Sequence, residues 1–410
     1  MKNFSVKKIF KNQKVKQAIV LYSSTIGSML IGFLISVLNT KYLGKDNYGD
    51  FKFIEVLFSL IVLFSTFGFF YSCTYMTAKE ENEQKKNKLF GAHIIIGLVI
   101  SLFLILILTS YISFFYTGNL GIYIHVLLPF MFVLVFNNSL ENILQGNNKI
   151  YSLSILKIGP KFIYLLTLLG IIFFFDELSL KSALVFFYAS TGIIIVSIIL
   201  KTPFSFKDLK ATINSIFETN KIVGFPIYIG GVLGVASTHL SSLFISFFNN
   251  NTDFGFYALA LTVSSPMGVL PGIVGTTLMR DFANKKKMPV NILKLIVIIS
   301  LIFFVLFLTF LNPLFNYFYS REYEPAINLA ILTSVAFLIH GFGDLYNKFL
   351  YAKGEGKKMR ISSINIGLSN IILSLCLIPL FGSSGAAYVK IISSAVYLGT
   401  VSFFYYKRIK

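Results

Sequence analysis

A chain of 410 residues with 55% apolar and 13% charged side chains, at a mean hydropathy of +0.76, cannot cover a water-facing surface. Those proportions exclude a soluble globule, a disordered tail, a collagen and a disulfide scaffold, and they leave a polytopic membrane protein. The formal net charge of +19 then belongs to loops that orient the spans, not to a surface for nucleic acid.

Met1 to Gln17 is basic and runs into a long apolar stretch without a small-residue cleavage site, so Ala18 onward reads as a retained first span. Apolar runs of about 20 residues between polar breaks predict twelve helical spans, at 18–40, 51–77, 89–116, 123–146, 153–175, 182–200, 222–248, 254–279, 290–319, 327–352, 361–381 and 384–406. The runs are too long and too uniformly apolar for barrel strands. Gly, Ser, Thr and Asn recur inside them, as in helices that pack on one another within a bilayer. The longest connection, Lys201 to Lys221, is weakly amphipathic through Leu209, Ile213, Ile216 and Phe217. It reads as a connector along the cytoplasmic membrane surface, joining a six-span lobe at 1–200 to another at 222–410. No connection is long enough for a soluble catalytic domain, and there is no GxxxxGK[ST] phosphate loop. Neither an enzyme nor a cofactor is expected. Cys73 and Cys376 fall inside apolar runs, which favours neither a disulfide nor a metal site.

Positive charge sets the orientation. With the N-terminus in the cytoplasm, that side receives the basic N-terminal segment, Lys79, Lys85, Lys86, Lys88, Lys149, the connector lysines, Arg280, Lys285 to Lys287, Lys353, Lys357, Lys358, Arg360 and the basic C-terminus. The other side receives Lys41, Lys45, Lys52, Lys181 and Arg321. Both termini are therefore expected in the cytoplasm.

Six spans followed by six suggest duplication. Tyr48-Gly49-Asp50-Phe51 matches Phe254-Gly255-Phe256-Tyr257 at an offset of about 206 residues, both at the start of a span. Gly146 to Lys149 followed by Ile158-Gly159 matches Gly354 to Lys357 followed by Ile366-Gly367 at about 208. Repeats with an even number of spans are parallel, related by an axis along the membrane normal. Transporters that alternate between inward-open and outward-open states are built this way.

The same segments carry a family resemblance. Tyr42-Leu43-Gly44-Lys45-Asp46-Asn47-Tyr48-Gly49, then Phe67-Gly68, resembles the second helix of polysaccharide export flippases. Leu377-Ile378-Pro379 through Gly382 to Gly385-Ala386-Ala387 resembles the junction of their eleventh and twelfth helices. Asn365 and Asn370 stand where that family often has Asn. Phe225-Pro226 and Gly255-Phe256-Tyr257 resemble its seventh-helix start and eighth-helix start. The superfamily also holds multidrug extrusion proteins and lipid II flippases. The resemblance implies an all-α fold of two six-helix lobes, an undecaprenyl-diphosphate-linked O-antigen or similar sugar unit as substrate, and a coupling ion, H+ or Na+. Where relatives carry a carboxylate in the seventh helix, this chain reads Ser237-Thr238-His239-Leu240-Ser241-Ser242, which argues against an ion-coupling carboxylate there.

Ionisable groups inside a span are costly unless paired or hydrated, so each is a candidate. Lys157 and Lys161 stand four apart on one face of the fifth span, flanking Pro160. Lys161 lies roughly 13 Å in, at 1.5 Å per residue. One reading is a cationic site for the diphosphate of a lipid-linked sugar. The other is a structural ion pair with a carboxylate such as Glu141. Glu141, with Asn137 near it, lines the cavity or caps a packing contact. Asn365 stands one repeat from Lys157, and His239 is a titratable candidate in the seventh span. His340, Asp344 and Lys348 form a polar stripe on the tenth span, with Asp344 and Lys348 read as an ion pair. Arg280 and Asp281 end the eighth span, where Arg280 suits an inner gate.

The reading is a flippase of the bacterial cytoplasmic membrane with lipid-linked oligosaccharide and membrane lipid as its partners, and with no metal and no nucleic acid. A cation-coupled multidrug exporter of the same fold is the first alternative; its cavity should be acidic. A membrane-embedded polysaccharide polymerase or glycosyltransferase is the second; it would need catalytic loops that this chain lacks.

Overall fold

The computed structural model describes residues 13–115, 119–278, 282 and 284–409. Among the described residues every regular element is helical. In chain order these are α1 (Gln13–Ser65), α2 (Phe69–Lys79), α3 (Glu83–Phe115), α4 (Asn119–Leu127), α5 (Met131–Gly146), α6 (Ile150–Phe175) and α7 (Leu180–Lys201). They continue with α8 (Leu209–Thr219), α9 (Phe225–Phe248), α10 (Asn251–Ser264), α11 (Pro266–Thr277), α12 (Val290–Phe318), α13 (Pro325–Ala352) and α14 (Gly356–Ile409). Nine helices among the described residues are long and apolar enough to cross a bilayer, ten when α10 and α11 count as one bent span. Large side chains that water would not tolerate face outward, such as Phe173 at 83% exposure; lipid is their solvent.

The residues between the first two predicted spans, expected as a loop, are helical. The reversal falls on Gly44, whose φ of 73° and ψ of 172° leave the helical region inside α1. α14 is broken the same way at Gly382, with φ 57° and ψ −135°. A side chain is disfavoured at both conformations. Other spans break where sequence chemistry removes a helical bond. Pro129 sits in a 3₁₀ turn before α5, and α10 meets α11 at a 43° bend beside Pro266, which has no N–H to donate. The second predicted span divides at Phe67 and Gly68, both at positive φ.

The chain forms two compact units, Met1–Ile35 with Ile61–Ile229, and Ser36–Leu60 with Gly230–Lys410. In the first, Phe70, Cys73, Ala92 and Val135 form one buried core, and Phe136, Leu140, Leu156 and Ile195 belong to another. The connector helix α8 joins the first of these: Ile216 is fully buried, Leu209 and Ile213 pack beside it, and Phe217 meets Phe69 edge-on. Part of its apolar stripe is thus taken up by protein contact, while Phe217 stays 46% exposed. Lys88 of α3 ties its start through Asp208 at 2.5 Å.

In the second unit, Leu345, Phe349, Tyr397 and Tyr405 centre the core of α13 and α14. Ser36 and Tyr319 share a hydroxyl hydrogen bond of 2.9 Å, and Tyr323 donates to the Thr40 carbonyl at 3.3 Å. Two contacts join the segments matched as repeats in the sequence. Thr252 donates to Asp46, 206 residues away, at 2.6 Å. A β-carbon on Gly255 would fall 2.9 Å from the α-carbon of Gly49. Residues one predicted repeat apart thus meet at the starts of the second and eighth predicted spans.

Candidate functional site

In the first unit, four predicted residues converge on one cavity of about 330 Å³. α5 contributes Asn137 and Glu141, one helical turn apart, and α6 contributes Lys157 and Lys161, also one turn apart. Pro160 lies between the lysines and lacks the amide that would bond the Leu156 carbonyl; Leu156 lines the same cavity. α1 closes it with Thr25 and Ser28, and α7 with Phe187 and Thr191.

Lys157 Nζ stands 3.5 Å from Glu141 Oε1, with 36% and 47% of the two side chains exposed. The ion pair expected as one alternative is therefore present, but it is open to the cavity, not sealed in packing. Lys161 Nζ donates to the Ser28 carbonyl at 3.2 Å. One turn further along α1, Gly32 leaves room for that ammonium: a β-carbon there would come within 3.4 Å of it. The hydroxyls of Thr25 and Thr191 bond carbonyls of their own helices, Leu21 and Phe187. Two ammonium groups and one carboxylate leave the cavity with a net positive charge. It can hold an anion against fixed N–H donors, and nothing in it resembles a nucleophile with its base.

Thr25, Ser28, Phe187 and Thr191 carry no distinguishing signal in the sequence: hydroxyl residues recur throughout the spans, and only the crossing of α1 and α7 over the lysine face singles these out.

The remaining candidates lie in the second unit. Asn365 Nδ2 reaches Thr400 Oγ1 at 3.5 Å, tying the two halves of α14. His239 is half-buried on α9. The expected ion pair of Asp344 with Lys348 is not found among the described residues. Asp344 accepts from the Tyr397 hydroxyl at 3.1 Å and stands 3.9 Å from His340. The short carboxylate turns to α14, while the stem of Lys348 lies along Gly275 of α11, its Cγ 3.2 Å from where a β-carbon would be. Arg280 lies outside the described residues. Arg321 and Glu324 line a second cavity of about 770 Å³ with Asn312, Asn316 and Ser320.

The fold has solved counterparts. The lipid II flippase MurJ, in an inward closed conformation, matches 94% of this chain over 87% of its own length at 17% identity and a TM-score of 0.74. An inward-facing multidrug resistance MATE family transporter of the MOP superfamily matches 96% of this chain over 98% of its own at 14% identity, TM-score 0.67. A MOP superfamily transporter from Pyrococcus furiosus, for which reverse polarity of the binding pocket suggests a different function, matches 96% of this chain over 95% of its own at 14% identity, TM-score 0.61. At such identities the likeness establishes the fold, a two-lobed multi-pass membrane protein. No curated protein matches the sequence. Residues 15–280, well over half of the chain, match the polysaccharide biosynthesis protein family, and the chain belongs to that family.

Proposed function

We propose that this protein is a flippase that moves an undecaprenyl-diphosphate-linked O-antigen or similar sugar repeat unit across the bacterial cytoplasmic membrane by alternating access. The observation that carries the reading is the pairing of Lys157 and Lys161 on one cavity wall inside a membrane-spanning helix. A lipid-linked sugar presents a diphosphate anion while its tail stays in the bilayer. No bond is made or broken, so the protein need only offer the head a hydrated, cationic path. The duplication supports two six-helix lobes, 1–200 and 222–410, joined by 201–221. Counting each glycine-broken helix, α1 and α14, as two crossings raises the ten spans to twelve, with both termini in the cytoplasm.

A charge-assisted contact in such a cavity is worth about 1.5–3 kcal/mol, or roughly 10–150-fold in affinity. Lys161→Ala should abolish or sharply reduce display of the surface polysaccharide at unchanged protein level, and Lys161→Arg should keep much of it. Normal display with Lys161→Ala would refute the cationic site. Loss of the protein itself, restored by neutralising a carboxylate, would make the lysine structural.

A cation-coupled multidrug exporter of the same fold is the second reading, favoured by the exposed carboxylate of Glu141. It predicts that Glu141→Gln removes resistance to cationic drugs and leaves polysaccharide display untouched.

A further inference from the structure

A cluster of titratable groups outside the lysine cavity lies where α13 packs on α14. His340 and Asp344 are one turn apart on α13, with Nε2 and Oδ1 separated by 3.9 Å. That is ion-pair distance but longer than a hydrogen bond. Tyr397 of α14 closes the group. Its ring stacks on the imidazole, centroids 4.9 Å apart at 27°, and its hydroxyl donates to Asp344 at 3.1 Å. Gly343 makes this possible: a β-carbon there would meet the Tyr397 ring at 2.5 Å. One turn beyond, Asn347 Oδ1 is a buried acceptor with no donor. Seven residues before Tyr397, on the same face of α14, Lys390 holds its ammonium over the Phe337 ring at 4.5 Å, within electrostatic reach of His340.

The other surroundings of His340 are nearly uncharged. Its own helix adds Lys348, two turns on. The face of α11 toward α13 presents Gly268, Gly272 and Gly275, and α10 bonds α13 through the hydroxyls of Ser264 and Thr333. α12 carries Lys294 near its start and Tyr317 near its end, and the turn Arg321–Tyr323 meets α13 only at its beginning. About two-fifths of the His340 and Asp344 side chains stay accessible, 39% and 41%.

We propose that His340, held between Asp344 and Tyr397, is a proton-binding site whose occupancy sets how α13 packs on α14. An imidazole nitrogen takes a proton from water, and no other bond changes. The imidazolium is attracted by the Asp344 carboxylate and by the face of Tyr397 and is repelled by Lys390. Drawn toward Asp344, it competes with the Tyr397 hydroxyl for the same oxygen. That hydrogen bond links α13 to α14, so proton uptake on one helix loosens its hold on the next. Proton binding at His340 does not depend on which substrate the lysine cavity accepts.

The test uses the full-length protein in nanodiscs, labelled with 15N-histidine and titrated from pH 5 to 8, with His340→Gln identifying the signal. His340 should change protonation state within that interval. Asp344→Asn should weaken its proton affinity by roughly tenfold, the scale of one adjacent charge. Hydrogen exchange along 337–350 and 390–400, corrected for intrinsic rates, should change over the same interval in the parent and not in His340→Gln. Tyr397→Phe, which keeps the imidazole, should reduce the amplitude. A histidine that stays in one state, an affinity unmoved by Asp344→Asn, or equal exchange behaviour in His340→Gln would each overturn the proposal.

Discussion

Lys157 and Lys161 share a helix face but differ in what they already hold. Lys157 has the Glu141 carboxylate at 3.5 Å, whereas Lys161 reaches the carbonyl of Ser28 on α1. The Glu141 carboxylate partly offsets the charge of Lys157 before any ligand arrives. Lys157→Ala should reduce polysaccharide display less than Lys161→Ala does. Pairing it with Glu141→Gln should recover part of the loss, because the change otherwise leaves a carboxylate facing an anionic head. Equal loss in both lysine variants, unmoved by Glu141→Gln, would contradict this order. A second expectation concerns Gly343. Alanine there collides with the Tyr397 ring, and overpacking of this kind costs about 1–3 kcal/mol. Gly399→Ala, where nothing lies within 4 Å, should be neutral or better; thermal unfolding of the two variants in one detergent compares them. The lysines and Glu141 were legible in the sequence because charge inside an apolar run is conspicuous. Ser28 and Gly343 were not, since a small residue declares its purpose only when the opposing helix is known.

Among the elements, the glycine breaks in α1 and α14 show how a span boundary is written. Gly44 has nothing within 4 Å of its missing β-carbon, so Gly44→Ala should cost only the conformational penalty, about 1–2 kcal/mol. Gly382→Ala must also displace Asn249, whose Nδ2 would lie 2.6 Å from the new carbon, and should be the worse of the two when unfolding is followed by heat. The apolar runs read from sequence located both breaks to within a few residues. They could not show that helix continues up to the turning residue, because the polar stretch Lys45-Asp46-Asn47 resembles a loop in composition. The surroundings of the connector are hidden in the sequence for a related reason. Amphipathicity states that α8 must bury a stripe, not whether lipid or protein receives it.

Lys88 holds the carboxyl of Asp208 below its ordinary range by hydrogen bond and charge. A carboxyl whose folded value is depressed contributes its stability above the unfolded value, near 3.9, and loses it as pH falls through the folded value. Acidification below about pH 4 should thus free the start of α8. Faster hydrogen exchange at 205–212 would report it, and Lys88→Ala should show the same exchange already at neutral pH.

At the scale of the whole molecule, the contact of Asp46 with Thr252 lies where residues one repeat apart meet. If transport requires that contact to part, a disulfide between Asp46→Cys and Thr252→Cys should stop polysaccharide display, and a reductant should restore it. Cys376 is exposed and should first be replaced by Ser; Cys73 is buried and can stay. Transport that continues with the cross-link intact would show that this contact stays closed throughout the cycle. Reporter fusions at Lys410 and Asn119 should read opposite sides of the membrane, and a shared side would break the twelve-crossing count.

The hydrogen bonds of Ser36 with Tyr319 and of Thr40 with Tyr323 each join residues 283 positions apart. At a ribosomal pace of about 5–20 residues per second, their partners emerge roughly 15–60 s after them. Over that interval this part of α1 sits in the bilayer with a hydroxyl and a carbonyl awaiting tyrosines not yet made. The newborn chain therefore needs a host for that segment, the insertion machinery or a lipid-facing chaperone, until the ninth and tenth spans arrive. Degradation of the nascent protein should fall most heavily on chains stalled before Tyr319.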